Sequence, residues 1–334
     1  MIKRIGVALA FFALLPIVGQ QGSRTNGPGA RVLLDAHNSY PESGKWADRI
    51  DRAIKTGTPL AIEQDLYWRH ESSGEYRAIV AHDSDQLVGA PTFQKYFFER
   101  IQPLMERALR ENRRESWPLV VLNLDLKTNQ RELHRAILSL LEQHDVWLTT
   151  TTRTASPEIP SALNVGPLLV LGGQDSSQRV DFHDAIPVGQ KLRVFGANPV
   201  PRAPGATGAE RTRNLSHMTV EQLIPARISN YGRWVNFPWA VVEEGGQEAA
   251  GEFTAVDSTR LQSLVERAHS QGLWIRFYTL DGFSSKQDKG YTKSYNFGTL
   301  EAAVVRWRAV IRAGVDFVAT DQYAEFAEEL RKRH

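Results

Sequence analysis

The chain has 334 residues, 42% hydrophobic and 23% charged, with a formal net charge of +2; this composition suits a globular fold and excludes a disordered, collagen-like or multi-span membrane protein. It contains no cysteine, which excludes thiolate nucleophiles, iron–sulfur clusters and cysteine-ligated zinc, so a metal would have to be held by oxygen or histidine. A chain of this size buries roughly three quarters of its unfolded surface and needs no disulfide staple.

At the N-terminus, Lys3 and Arg4 precede an apolar run from Ile5 to Gly19, with Gln20, Gln21 and Gly22 beyond. This is the layout of a secretory signal peptide, and the run falls short of the roughly 20 residues that cross a bilayer. Residues 1–22 are therefore expected to be a signal peptide, with an uncleaved anchor as the alternative, and residues 30–334 a single secreted or periplasmic domain. Without Lys3 and Arg4 the remaining chain carries 38 basic and 38 acidic residues. That neutrality, with no basic stripe interleaved with aromatics, weighs against nucleic acid as a partner.

Eight short apolar segments bounded by turn residues follow: Val32–Ala36, Leu60–Leu66, Leu119–Leu126, Leu168–Leu171, Leu192–Phe195, Trp234–Pro238, Leu273–Leu280 and Phe317–Thr320. Helical periodicity marks Ala47–Lys55, Thr92–Arg110, Gln130–Gln143, Ser258–Ser270 and Leu300–Arg312 between them, and Gly272 and Gly314 read as C-terminal stops. Eight alternating units over about 300 residues predict a (β/α)8 TIM barrel, with a doubly wound open sheet as the alternative. The irregular stretches Asn198–Asn214, Glu243–Glu252 and Asp281–Gly298 would surround one mouth of that barrel.

Strands one to three are apolar until their last few residues. Side chains alternate along a strand, so Asp35 and His37 share a face, as do Glu63 and Asp65, and Asn123, Asp125 and Lys127, while Leu34, Leu66, Leu122, Leu124 and Leu126 face the other way. A single aspartate at a strand end is ordinarily a helix cap or turn former. Three adjacent strands ending in inward carboxylates are costly without a cation. Glu63, Asp65 and Asp125, with the amide oxygen of Asn38, form an oxygen-rich set that suits one hard divalent cation, Ca²⁺ or Mg²⁺.

Of the nine histidines, His134, His144, His269 and His334 read as ordinary surface residues on or beyond helices. His37 ends the first strand, and His82 follows the apolar run Ala78–Ala81 and precedes Asp83. Two imidazoles flanking a metal can act as general base and general acid near neutral pH, as phosphodiester cleavage requires. No Gly-x-Ser-x-Gly, Walker A or Gly-x-Gly-x-x-Gly motif occurs, which removes support for a serine hydrolase or a nucleotide fold. A secreted glycoside hydrolase could use two of the carboxylates, but it leaves the histidine pair and Lys127 without a purpose.

The arrangement His37-Asn38, Glu63-x-Asp65, His82-Asp83 and Asp125-x-Lys127 resembles the phosphatidylinositol-phospholipase-C-like phosphodiesterase superfamily of barrel enzymes, which includes the glycerophosphodiester phosphodiesterases. Ala-His-Asn-Ser-Tyr, Ile-Glu-Gln-Asp-Leu-Tyr-Trp, Ala-Pro-Thr-Phe-Gln and Leu-Asp-Leu-Lys-Thr look most like the "altered inheritance of mitochondria protein 6" family. The similarity runs from about residue 32 to 129, with echoes at Gly272–Tyr278 and Gly314–Asp321. It implies a metal-dependent phosphodiesterase in which His37 and His82 are the acid–base pair, Glu63, Asp65 and Asp125 hold the metal, and Lys127 meets a phosphate oxygen. Asn38 matches a calcium-ligating asparagine of the calcium-dependent phospholipases C, where glycerophosphodiesterases usually carry Arg-Gly. The third acid is an aspartate, as in sphingomyelinase D-like members.

Arg276 and Tyr278 share a face of strand seven and are further candidates for the phosphate or head group. The substrate expected is a small-molecule or phospholipid phosphodiester. Phe283, Tyr291, Tyr295 and Phe297 could touch a membrane surface transiently or pack their loop. A catalytically silent barrel that binds a phosphorylated or sugar ligand is the rival from another class.

Overall fold

The computed structural model describes residues 26–42, 46–70, 76–287 and 292–332; the expected signal peptide, His334 and Tyr291 lie outside the described residues. Eight strands run in parallel: β1 (Leu33–Ala36), β2 (Leu60–His70), β3 (Val120–Leu126), β4 (Leu168–Gly172), β5 (Phe195–Ala197), β6 (Gly232–Pro238), β7 (Trp274–Tyr278) and β8 (Phe317–Thr320). Each pairs with the next, and β1 pairs with both β2 and β8, which closes the ring. The fold is the (β/α)8 barrel that the eight alternating units predict.

Strand alternation sorts the apolar side chains into two cores. Leu33, Ala61, Val121, Leu169, Phe195, Trp234, Trp274 and Phe317 fill the barrel's interior. Leu34, Leu66, Leu122, Leu124 and Leu126 pack outward with the helices. A residue two positions beyond an interior one lies on the same face, so Asp35, Glu63 and Asn123 form the next layer up, toward the strands' C-terminal ends.

The outer helices include Arg49–Lys55, Glu99–Glu111, Arg131–Gln143, Ala255–Ser270 and Leu300–Ala313. Thr254 caps the fourth in a reciprocal box with Asp257, and so its helix starts three residues before the predicted Ser258. Thr299 caps the fifth. Gly272 and Gly314 follow helix ends at φ of 76° and 78°, the left-handed stop expected of them. Among the described residues no helix is long and apolar enough to cross a membrane.

Three expectations need correction. The fifth strand is not Leu192–Phe195: Leu192 pairs antiparallel with Thr151 outside the barrel, and the barrel strand begins at Phe195. A β-carbon on Gly196 would lie 2.2 Å from the ring of Tyr231, so the close approach of chain to ring requires glycine there. The second strand runs past Leu66 to His70 and returns antiparallel as Tyr76–Val80, so the apolar run before His82 is the second arm of a hairpin. His134 is not a surface residue. It is fully buried on the helix face it shares with Ile137 and Leu141, with Nδ1 2.8 Å from Asp181 Oδ2.

Candidate active site

The mouth formed by the strands' C-terminal ends holds a cavity of about 290 Å³. Glu63 from β2 and Asp125 from β3 line it, and Asp65, buried outside the lining, sits beside Asp125 in the register of the two strands. One carboxylate oxygen from each of the three falls within 4.8 Å of the others. Both oxygens of Asp65 are buried without a hydrogen-bond donor. Burial, then the charges of Glu63 and Asp125, push its carboxyl well above the ordinary range, because three carboxylates at this separation cannot all stay ionised unless something positive joins them.

Two cations already serve the acid set. Lys127 Nζ lies 2.7 Å from Asp125 Oδ2 and 3.5 Å from Asp65 Oδ1. Burial opposes charge on Asp125, but Lys127 and then Arg276 outweigh it and hold that carboxyl below its usual range. Arg276, almost fully buried, donates through Nε to Asp35, through Nη2 to Glu63 and through Nη1 to Asn236 Oδ1 at 3.1 Å. Asn123 Nδ2 donates to both Asp35 and Glu63 at 3.4 Å. Four carboxylates, Asp35, Glu63, Asp65 and Asp125, thus face two fixed cations, and Asp65 is the one left without a hydrogen-bond donor.

His37 stands beside this set. Its Nε2 lies 3.6 Å from Glu63 Oε1, and its Nδ1 lies 2.8 Å from Asp321 Oδ1. Asp321 also accepts from Asn38 Nδ2 and, at 3.5 Å, from Arg49 Nη1, while its own backbone N–H donates to Asp281 Oδ1 at 2.7 Å. Burial pulls the His37 pKa down, but Glu63, Asp321 and Asp281 outweigh it and set it at about 9. The ring of Tyr295 meets that of His37 edge-on at 5.6 Å, so one aromatic of the long loop after β7 lines the cavity. Phe283 is buried, and Phe297 packs against Trp239 and Arg306.

The structure therefore brings together His37, Glu63, Asp65, Asp125, Lys127, Arg276 and Tyr278. Tyr278 lines the cavity, with the Arg276 guanidinium 5.9 Å from its ring centre, and burial raises its phenol to about 12. Asn38 is adjacent, but its amide nitrogen is turned to Asp321, and its backbone takes a left-handed φ of 52°. His82 does not line this cavity. Its Nδ1 lies 2.9 Å from Asp83 Oδ2 and its ring lies 5.6 Å from that of Tyr40.

Sequence reasoning gave no role to Asp281 and Asp321, which with His37 form a second group of ligand-capable atoms. The signal was the one used for strands one to three, a carboxylate just beyond the apolar stretch of a strand, here after β7 and β8. Both acids are already hydrogen-bonded, and so they lack the unpartnered oxygens of Asp65.

Fold and site together define a (β/α)8 barrel whose C-terminal mouth carries an acid-and-imidazole cavity, the place where barrel enzymes build their active sites. No protein-family profile and no curated protein matches the chain. Among solved structures it is similar to a glycerophosphoryl diester phosphodiesterase from Parabacteroides distasonis, with 13% identity and a TM-score of 0.40 over 90% of this chain and 86% of that one. A glycerophosphodiester phosphodiesterase from Agrobacterium tumefaciens gives 12% and 0.39 over 89% and 100%. The Plasmodium falciparum HPPK-DHPS wild type with pterin and p-hydroxybenzoate gives 9% and 0.43 over 91% and 48%. Likeness of this extent carries no chemistry with it.

Proposed function

We propose that the chain is a secreted or periplasmic phosphodiesterase that depends on one divalent cation, Ca²⁺ or Mg²⁺, held by Glu63, Asp65 and Asp125. The observation that carries this reading is Asp65, whose two buried oxygens lack a hydrogen-bond donor although Glu63 and Asp125 stand within ligand distance of each other and of it. An all-oxygen donor set of three clustered carboxylates fits a hard dication. Asn38, whose amide is engaged by Asp321, would join the set through its oxygen. When bound, the ion would supply neutralisation of phosphate charge and a lower pKa for the attacking oxygen.

The chain's own residues do the rest. His37, oriented by Asp321, would accept the proton of the attacking hydroxyl at Nε2 in its neutral form, which a cation on Glu63 would favour by cancelling the charge that raises the ring's pKa. His82 returns a proton to the leaving alcohol, a role that needs its hairpin to bring it to the cavity. Lys127 and Tyr278 face the phosphate oxygens, while Arg276, whose three nitrogens are taken by Asp35, Asn236 and Glu63, balances the acids. A neighbouring hydroxyl of the substrate as attacker gives a cyclic phosphate, and water gives hydrolysis.

The test is turnover of bis(4-nitrophenyl) phosphate by the purified protein after EDTA treatment, with Ca²⁺ or Mg²⁺ restored separately, alongside a thermal melt. Restored turnover, a Tm that rises with the ion, and loss of both in Asp65→Asn are expected. At a hundred times Kd the ion should add about 2.7 kcal/mol to stability. A folded protein that stays inactive and shows no Tm response to either ion refutes the reading.

A further inference from the structure

The barrel's base, at the N-terminal ends of the strands and opposite the mouth, holds a charge that the chain does not balance. Arg233, the second residue of β6, is only 4% exposed. Its Nη2 donates to the carbonyl of Ser161 at 3.0 Å, and its guanidinium carbon lies 5.6 Å from the centre of the Phe195 ring. Its Nε is buried and meets no acceptor. Arg153, half-buried on the loop that carries Ser161, also buries an Nε without an acceptor. Among the described residues neither guanidinium pairs with a carboxylate. Burial alone lowers the Arg233 pKa to about 10. Burial acts on Arg276 in the same direction, but there Asp35 and Glu63 outweigh it and raise the guanidinium.

The two arginines belong to one tied unit. Asn230, fully buried, donates through Nδ2 to Thr152 O at 3.0 Å and to Ser161 Oγ at 3.1 Å, and its Oδ1 accepts from the N–H of Thr154 at 3.0 Å. Arg153 therefore sits between two residues held by a single side chain, which itself lies three positions before Arg233. Thr151–Thr152 pairs antiparallel with Lys191–Leu192, and Leu163 packs on the barrel's interior core, so the unit is fixed to the base. A buried cation is costly unless a counter-charge joins it. The Ser161 carbonyl supplies a dipole and the Phe195 ring a quadrupole, but neither carries a charge. Free guanidinium N–H groups in a low-dielectric setting call for an anion, and their burial calls for a small one. We propose that Arg233, with Arg153, binds a small inorganic anion, chloride or phosphate, that locks the loop of Ser161 to the start of β6. The site lies at the opposite end of the barrel from the acid set and is independent of the phosphodiesterase reading.

The test is the Tm of the full chain, without added metal, in sodium gluconate of fixed ionic strength, with sodium chloride or sodium phosphate replacing part of the gluconate. Gluconate is too bulky for the site and serves as the reference anion. At about ten to a hundred times Kd, the bound anion should raise the wild-type Tm by about 2–4 °C. The salt that gives the rise names the anion. In Arg233→Met, which keeps much of the volume and removes the charge, the rise should vanish, and in Arg153→Met it should shrink. Stabilisation by exclusion from the protein surface acts on wild type and variants alike and cancels in the comparison. No rise in either salt, or the same rise in wild type and Arg233→Met, overturns the proposal. If Arg233→Met does not fold, Arg153→Met decides in its place: a smaller rise than in wild type supports the site, and an unmoved one overturns it.

Discussion

His37 Nδ1 lies 2.8 Å from Asp321 Oδ1, a contact between residues 284 positions apart that joins the end of the first barrel strand to the end of the last. The carboxylate fixes the ring's orientation and directs Nε2 toward Glu63 and the cavity. Asp321 is held in turn by Asn38, Arg49 and the Asp281 carboxylate, which accepts from its backbone N–H. A base supported in this way loses its aim when the support is neutralised.

Asp321→Asn should lower kcat on bis(4-nitrophenyl) phosphate about 10- to 100-fold and bring the His37 pKa down from about 9. Ring-proton NMR titration in EDTA reads the second effect directly. An unchanged His37 titration would show that Asp321 does not orient the ring through its charge.

The metal-free protein should lose stability as pH rises. His37 at about 9 compares with about 6.5 in the unfolded chain, so its contribution is complete below about 6.5 and gone above about 9. Burial and the charge of Asp321 push Asp281 up to about 7. Its folded form keeps a proton that the unfolded chain releases near 4, and its contribution falls between about 4 and 7. Thermal melts in EDTA should show Tm falling across both windows, with the upper fall flattened in His37→Gln. A variant curve parallel to wild type between about 6.5 and 9 would count against His37 as the source.

If His82 protonates the leaving group, the effect of His82→Ala depends on the alcohol expelled. Nitrophenolate leaves without help, whereas an alkoxide needs the proton, so the variant should lose about 100-fold more on a glycerol or inositol leaving group than on nitrophenolate. The side chain stands outside the cavity lining, paired with Asp83. Equal losses on the two classes of ester would leave it a structural residue of the hairpin base.

Arg276 ties Asp35, Glu63 and Asn236 together from inside the barrel. Arg276→Met keeps much of the volume but leaves two buried carboxylates without their cation, which should cost about 3–5 kcal/mol in EDTA. Urea unfolding measures it. A loss below about 1 kcal/mol would mean that the arginine's charge is not what balances these acids.

The sequence alone determined the barrel and the acid set, for one reason: both are written in strand alternation. A period of two puts every second residue of a strand on one face, so Leu33, Ala61 and Val121 inside the barrel fix the direction of Asp35, Glu63, Asp65 and Asp125 two and four positions on. The same rule carries no information about what lies across the ring. Only the closed barrel decided that Asp321 meets His37 and that Arg276 faces Asp35 and Glu63 where a phosphate contact was expected. The hairpin was missed because its arms pair antiparallel outside the barrel count, and the fifth strand was misplaced because Leu192 is as apolar as a barrel residue while its partner, Thr151, lies in another ladder. Local pattern sets which way a side chain points, and pairing between distant segments sets what it meets.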